Sequence, residues 1–249
     1  MGSILWKNFQ PGNDARVVYN IIEAGGIVAG KTVTAEFAVH DLNQTLNPYD
    51  IKLTPGTSSS GSAVSVALGA CPISLATQTA GSIGRPASFN GIFGFKPSFG
   101  LIPRTGSLKT TDTLDSIGFF TSHLDNINIF FDTIRVKGKN YPFSNKIIED
   151  KTKQQIQNNQ KIKIAIVQNP TWKFVSNYAK ETFEKFINKI SLIKNFELKI
   201  IDYNDDFQDI HKLHATIYNK TLSYYFKNEY KNKELISKKM NKMIEDGLS

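Results

Sequence analysis

The sequence holds one cysteine, Cys71, in 249 residues. That excludes an intramolecular disulfide framework and any cage of cysteine ligands around zinc or iron–sulfur. No apolar run reaches the ~18–20 residues that a membrane span requires. The opening Met1-Gly-Ser-Ile-Leu-Trp-Lys7 lacks the apolar stretch of a secretory signal, so the expected compartment is the cytoplasm. Arginine is missing after residue 150: the 18 basic residues there are all Lys, against 11 Asp and Glu. The first 150 residues are nearly balanced, with 12 basic and 11 acidic. Arginine is the side chain that reads phosphates and bases bidentately. The net charge of +8 therefore points to a lysine-coated surface rather than to nucleic acid. No Gly-x4-Gly-Lys-Ser/Thr is present, and Gly30-Lys31-Thr32 has no glycine-rich loop before it, so a phosphate-cradling loop is excluded.

What remains is long enough to bury roughly 70% of its unfolded surface without staples. Asn13 or Asp14 can cap a helix carrying Val17, Val18, Ile21 and Ile22, ended by Gly25-Gly26. Ile27-Val28-Ala29 reads as a short buried strand, as does Ile73 to Ala76. Asp125 can cap a helix through Ile127, Phe130, Phe131 and Ile134. Residues 138–160 are polar and linker-like. Lys161 to Val167 alternates as a strand, and Tyr178 to Ile193 fits a helix with Phe183, Phe186, Ile187 and Ile190 inward. Leu198 to Tyr203 is a further strand, and Phe207 to Met243 is mostly helical. Strands alternating with helices predict an α/β fold, a mixed β-sheet layered between helices. The expected division is 1–137, a linker at 138–160, and 161–249 within the same domain.

Two loops concentrate hydroxyls where one element hands over to the next: Thr57-Ser58-Ser59-Ser60-Gly61-Ser62, and Gly81-Ser82 followed by Arg85-Pro86. A serine nucleophile needs a tight exposed turn with backbone N–H groups beside it for the developing oxyanion. Ala80-Gly81-Ser82 has side chains small enough for such a turn. A base is also needed. His40, His123, His211 and His214 show no spacing that singles one out, which leaves a lysine acting through a second hydroxyl. On composition alone, an ordinary serine-rich turn is the commoner meaning of both loops. His211-x2-His214 lacks a third ligand for a metal. Tyr218, Tyr224, Tyr225, Phe226 and Tyr230 have the spacing of a packed helix face. Cys71 reads as a buried inert thiol, and Asp112 and Asp115 as turn residues.

Four segments together resemble the amidase signature family: AGGIVAGKTVTAEFA (24–38), TPGTSSSGSAVSVALGA (54–70), TQTAGSIGRPASFNGIFGFKPSFGLIPRTG (77–106) and LDSIGFF (114–120). The match runs from about residue 2 to about residue 135, and more loosely from Lys161 on. The resemblance implies an α/β amidase-signature core, incomplete in this chain, that hydrolyses a carboxamide C–N bond through an acyl-enzyme and a Ser–cis-Ser–Lys triad. By position it makes Ser82 the nucleophile and Ser58 the bridging serine held by a cis peptide. Backbone N–H groups around Thr79, Ala80, Gly81 and Ser82 become the oxyanion hole. Arg85 stands where some relatives hold a substrate carboxylate, and a structural ion pair is the other role open to it. No metal or organic cofactor is implied, and the partner is a small-molecule amide rather than a membrane.

The departures from that pattern shape the second expectation. The family's catalytic lysine lies on a strand upstream of the matched region, and no segment here corresponds to it. Lys7 aligns with variable sequence, and Lys31 with a recurrent lysine that is not catalytic. Relatives also continue past the position of Ser249. Thr57 stands where glycine is usual, and Asn90 where cysteine is frequent. These features imply truncation at both ends: a fragment, a decayed copy, or one part of a split enzyme, completed by a homodimer partner or a complementing fragment. One component of an amidotransferase that works on misacylated tRNA uses the same motifs, and that assignment stays open.

Overall fold

The computed structural model describes residues 1–141, 148, 161–202 and 207–249. The chain divides into two compact units, Met1–Ser144 with Thr216–Ser249, and Asn145–Ala215. In the first unit, strands β1 (Ile73–Gln78), β2 (Phe93–Phe95) and β3 (Ser116–Thr121) form an antiparallel sheet in the order β1-β3-β2. β1 pairs with β3 from Ile73 opposite Thr121 to Gln78 opposite Ser116, and β2 pairs with the same strand from Phe93 opposite Thr121 to Phe95 opposite Phe119.

All six residues of β3 are buried, because each face of the sheet is covered. Side chains of a strand alternate between faces. Ile117 and Phe119 pack with Val17 of helix α1 (Arg16–Glu23), Ile102 and Ile134 of helix α4 (Asn126–Ile134). Phe120 packs instead with Ala63 and Val66 of helix α2 (Ser60–Ala67), Ala76, Ile83, and Ala87 of helix α3 (Gly84–Phe89). The architecture is thus mixed α/β with sheet between helices, as the alternation of elements predicts. Each buried phenylalanine of this core is worth about 1.5–3 kcal/mol.

The C-terminal part of the first unit packs back on its beginning. Helix α6 (Ile210–Tyr225), whose residues from Thr216 on belong to this unit, a 3-10 stretch Glu229–Leu235 and helix α7 (Lys238–Leu248) follow in order. Tyr218, Leu222, Phe226, Ile236, Met240 and Ile244 surround Phe37 and Val39. Phe37 sits 4.8 Å from Phe226 ring to ring and edge-on to Trp6 at 6.1 Å. Phe37 and Ala38 have positive φ of 48° and 58°. Trp6 Nε1 donates to Glu229 Oε1, and Ser237 N to Glu36 Oε2. Burial pushes the Tyr218 hydroxyl up to about 12, beside the Thr110 and Thr79 hydroxyls.

In the second unit β4 (Ile162–Gln168) and β5 (Phe196–Asp202) pair in parallel from Ile162 opposite Phe196 to Gln168 opposite Asp202. Helix α5 (Asn177–Ser191) connects them, its Ser176 Oγ accepting from Ala179 N. Trp172 meets Phe183 edge-on at 5.3 Å.

Several local expectations give way. Ile27-Val28-Ala29 is not a strand: Ile27 is 93% exposed, and an apolar triplet with no neighbouring strand among the described residues has no ladder to join. α1 starts after Ala15, with no side-chain cap from Asn13 or Asp14, and Asp125 occupies the N-cap of α4 without a capping hydrogen bond. Phe186 is exposed while Phe183, Ile187 and Ile190 are half-buried. The helical reading of 207–243 is broken between Tyr225 and Lys238. Most of the linker expected at 138–160, and Tyr203, lie outside the described residues. Among the described residues no helix is long and apolar enough to cross a membrane.

Candidate active site

The first hydroxyl loop is clamped from both sides. Residues 55–60 are buried. Gly56 has a φ of 81°, and a Cβ there would stand 3.0 Å from Pro86 Cα, so only glycine lets this loop lie against α3. The Thr57–Ser58 peptide is cis. The Ser58 carbonyl accepts from Ala35 N at 3.0 Å and from Thr34 Oγ1 at 3.1 Å. Ser59 Oγ donates to Thr77 O at 3.2 Å, tying the loop to the end of β1. Asn43 Nδ2 donates to Ser60 Oγ, and the Thr32 and Ser62 hydroxyls share a 2.7 Å hydrogen bond. Ser58 Oγ itself, in a residue 1% exposed, has no hydrogen-bond partner among the described residues.

The second loop is the turn from β1 into α3. Gln78 Oε1 accepts from Ile83 N at 2.8 Å and Gly84 N at 2.9 Å, closing the turn around Ser82. Ile83 is buried in the core cluster beneath it, and Ser82 is 9% exposed. The N–H groups of Ala80, Gly81 and Ser82 donate to no other group among the described residues. The turn is held from behind by Asp115. Its carboxylate accepts from the Thr79, Thr110 and Thr111 hydroxyls at 2.6, 2.7 and 3.1 Å and from the Thr110 and Thr111 N–H groups at 2.8 and 3.0 Å. Arg104 Nη1 lies 3.8 Å from the same carboxylate. A buried carboxylate is tolerated only when so fully hydrogen-bonded.

Arg85 joins the two loops. Its Nη1 donates to Thr57 Oγ1 at 3.1 Å, and its Nη2 stands 3.0 Å from where a Cβ on Gly81 would be. Beside it opens a cavity of about 400 Å³ whose wall includes His40, Leu42, Thr57, Arg85, Phe89 and Lys239. The structure therefore brings Ser58, Thr79, Ala80, Gly81, Ser82 and Arg85 to one corner of the first unit. Lys7 and Lys31 are exposed and bond to neither serine, and no histidine does so among the described residues. His211 is exposed and His214 half-buried, and no group of three or more His, Cys, Asp or Glu among the described residues could hold a metal ion.

Sequence reasoning misses three contributors. Gln78 ends a strand and carries no motif of its own. Asp115 reads as a turn residue because its five donors come together only in the fold. Lys239 lies far along the chain, one lysine among many.

A family model described as Amidase matches residues 1–248. The chain belongs to the amidase family. It is 33% identical over 211 residues to the A subunit of glutamyl-tRNA(Gln) amidotransferase from Protochlamydia amoebophila, a match that covers 81% of this chain and 42% of that one. The chain thus spans less than half the length of that curated relative. Its fold is similar to that of the same-named protein from Thermotoga maritima, with a TM-score of 0.76 at 24% identity over 93% of this chain and 53% of that one. It is likewise similar to the native peptide amidase from Stenotrophomonas maltophilia, with a TM-score of 0.75 at 22% identity over 100% and 57%. The proteins it resembles thus include both amidotransferase subunits and amidases by name.

Proposed function

We propose that this amidase-family chain carries the nucleophile half of a carboxamide hydrolase centre. The observation that supports it best is the turn 79–82: a serine hydroxyl at a strand-to-helix turn, next to three N–H groups with no other acceptor among the described residues. In this reading Ser82 Oγ attacks the amide carbonyl carbon and passes its proton by way of Ser58 Oγ. The tetrahedral oxyanion rests on the Ala80, Gly81 and Ser82 amides, with Thr79 fixing the turn from behind. Collapse breaks the C–N bond, and the leaving amine takes up a proton. Water then attacks the Ser82 ester and releases the carboxylic acid. Fixed donors aimed at a developing oxyanion contribute about 3–4 kcal/mol apiece in enzymes of this general type. Arg85 holds a carboxylate on the substrate. The reaction uses no cofactor and proceeds in the cytoplasm.

A serine hydroxyl at neutral pH needs a base. No described lysine or histidine reaches Ser58 Oγ, and that observation favours a second reading. Here the chain is a catalytically impaired copy, or a subunit whose base comes from a complementing chain, in keeping with relatives named as amidotransferase subunits.

A fluorophosphonate probe and hydroxamate formation from simple amides separate the two. The enzyme reading expects probe labelling and turnover that both vanish in Ser82→Ala. Unlabelled wild-type protein without turnover supports the impaired copy. Labelling that persists in Ser82→Ala overturns the assignment of the nucleophile.

A further inference from the structure

Tyr218 of helix α6 is only 3% exposed, although it ends in a hydroxyl. Its ring packs in the cluster of Phe37, Leu222 and Phe226 and stands edge-on to His40 at 6.1 Å. A phenylalanine would fill that place equally well, so the packing does not account for the oxygen. A buried hydroxyl costs stability unless it finds a partner. This one meets the Thr110 and Thr79 hydroxyls in hydrogen-bond contact.

Proton accounting then gives the contact a direction. The Thr79 and Thr110 oxygens lie 3.0 Å apart, and each is closer to Asp115 Oδ1, at 2.6 and 2.7 Å. A hydroxyl has one proton to give and two lone pairs with which to accept. The charged oxygen takes both threonine protons, in keeping with the shorter contacts. Toward Tyr218 the threonine oxygens are therefore acceptors, and the Tyr218 O–H is the donor. Burial keeps that proton in place, pushing the hydroxyl up to about 12. Donors arranged in such a chain strengthen one another. Thr79 is the entrance of the turn that carries Ser82, whose exit Gln78 closes through Ile83 N and Gly84 N. We infer that Tyr218 is a positioning residue: its O–H, donated to the Thr79–Thr110 pair, fixes the entrance of this turn, so that helix α6 sets the aim of the Ala80, Gly81 and Ser82 N–H groups. This rests on the amidase reading only for what those N–H groups do. The hold of Tyr218 on the turn stands apart from it.

The test is Tyr218→Phe, which keeps the ring and removes the donor. Tyr225→Phe is the control, because it removes a hydroxyl of the same helix that donates to Asp112 at 2.6 Å. Amide exchange by NMR reads the turn at Ile83, Gly84 and Arg85, the last bonded to Gly81 O. Exchange there quickens about tenfold in Tyr218→Phe, the effect of one hydrogen bond lost from a charged cluster, and holds its rate in Tyr225→Phe. In a Thr79→Val background Tyr218→Phe adds less than about twofold, since the link is already cut. Unchanged exchange in Tyr218→Phe, or a full additive effect beside Thr79→Val, overturns the inference. So does a wild-type spectrum in which the Tyr218 hydroxyl proton shows no nuclear Overhauser contact with the Thr79 and Thr110 methyl groups, a measurement that needs no variant to fold. Fluorophosphonate labelling separates this from the amidase reading. A coupled turn in a protein that is never labelled sinks the hydrolase and leaves Tyr218 its role. Labelling of Ser82 at the same rate in wild type and Tyr218→Phe does the reverse, where about tenfold slower labelling is expected.

Discussion

Asp115 shows how a site can depend on a residue that does no chemistry. Its carboxylate gathers five hydrogen bonds, one of them from Thr79 at the head of the turn that carries Ser82. Asp115→Asn keeps the shape but turns acceptor lone pairs into N–H donors facing donors. The expected loss is about 2–4 kcal/mol of stability, since it strands buried partners of a charged group. On the hydrolase reading proposed above, it also displaces the Thr79–Ser82 backbone, so kcat falls while KM for an amide changes little. Urea unfolding and steady-state kinetics of the same variant check both parts. A variant of full stability would mean that the network is dispensable. Ser82 is legible in the sequence because small residues around a serine announce a tight turn. Asp115 is not, because Thr79, Thr110 and Thr111 meet it only across the fold.

At the scale of elements, the turns are easier to anticipate than the pairings. β1 and α4 lie close to where periodicity puts them, since each buries one apolar set against a face. Ile27-Val28-Ala29 has the same apolar character and no neighbour, and a short window of sequence contains no information about neighbours. The segment before the first hydroxyl loop makes a sharper prediction. Ala38 adopts a φ of 58°, a left-handed conformation that costs a residue with a Cβ about 1–2 kcal/mol. Glycine there gives up about 0.5–1 kcal/mol of unfolded-state entropy instead. Ala38→Gly is therefore expected to stabilise the protein by about 0.5–1 kcal/mol in chemical denaturation, and a loss would show that the Ala38 methyl group matters more than its backbone.

Over the whole molecule, the two units differ in how well their strands are covered. β3 has a partner strand on each side and helices on each face, whereas among the described residues β4 and β5 form a pair of two strands with one connecting α-helix. Two-stranded pairings are marginal by themselves. Amide hydrogen exchange should accordingly be slowest at Phe119 and Phe120 and markedly faster at Ile164 and Ile200. Uniform protection across both sheets would contradict this. The return of residues 216–249 onto Phe37 and Val39 leaves no mark in the sequence beyond aromatic spacing. That spacing tells that Tyr218 and Phe226 are buried without telling against what.

The central strand also has a bearing on how this sequence can change over generations. Ser116–Thr121 presents six successive buried positions, of which Ile117 and Phe119 belong to one cluster and Phe120 to another. A substitution that suits one cluster shifts a backbone shared with the other, so it cannot be accommodated on one side alone. Neutral drift should pass around this stretch and collect instead in the lysine-rich surface of α5 and the helices that follow.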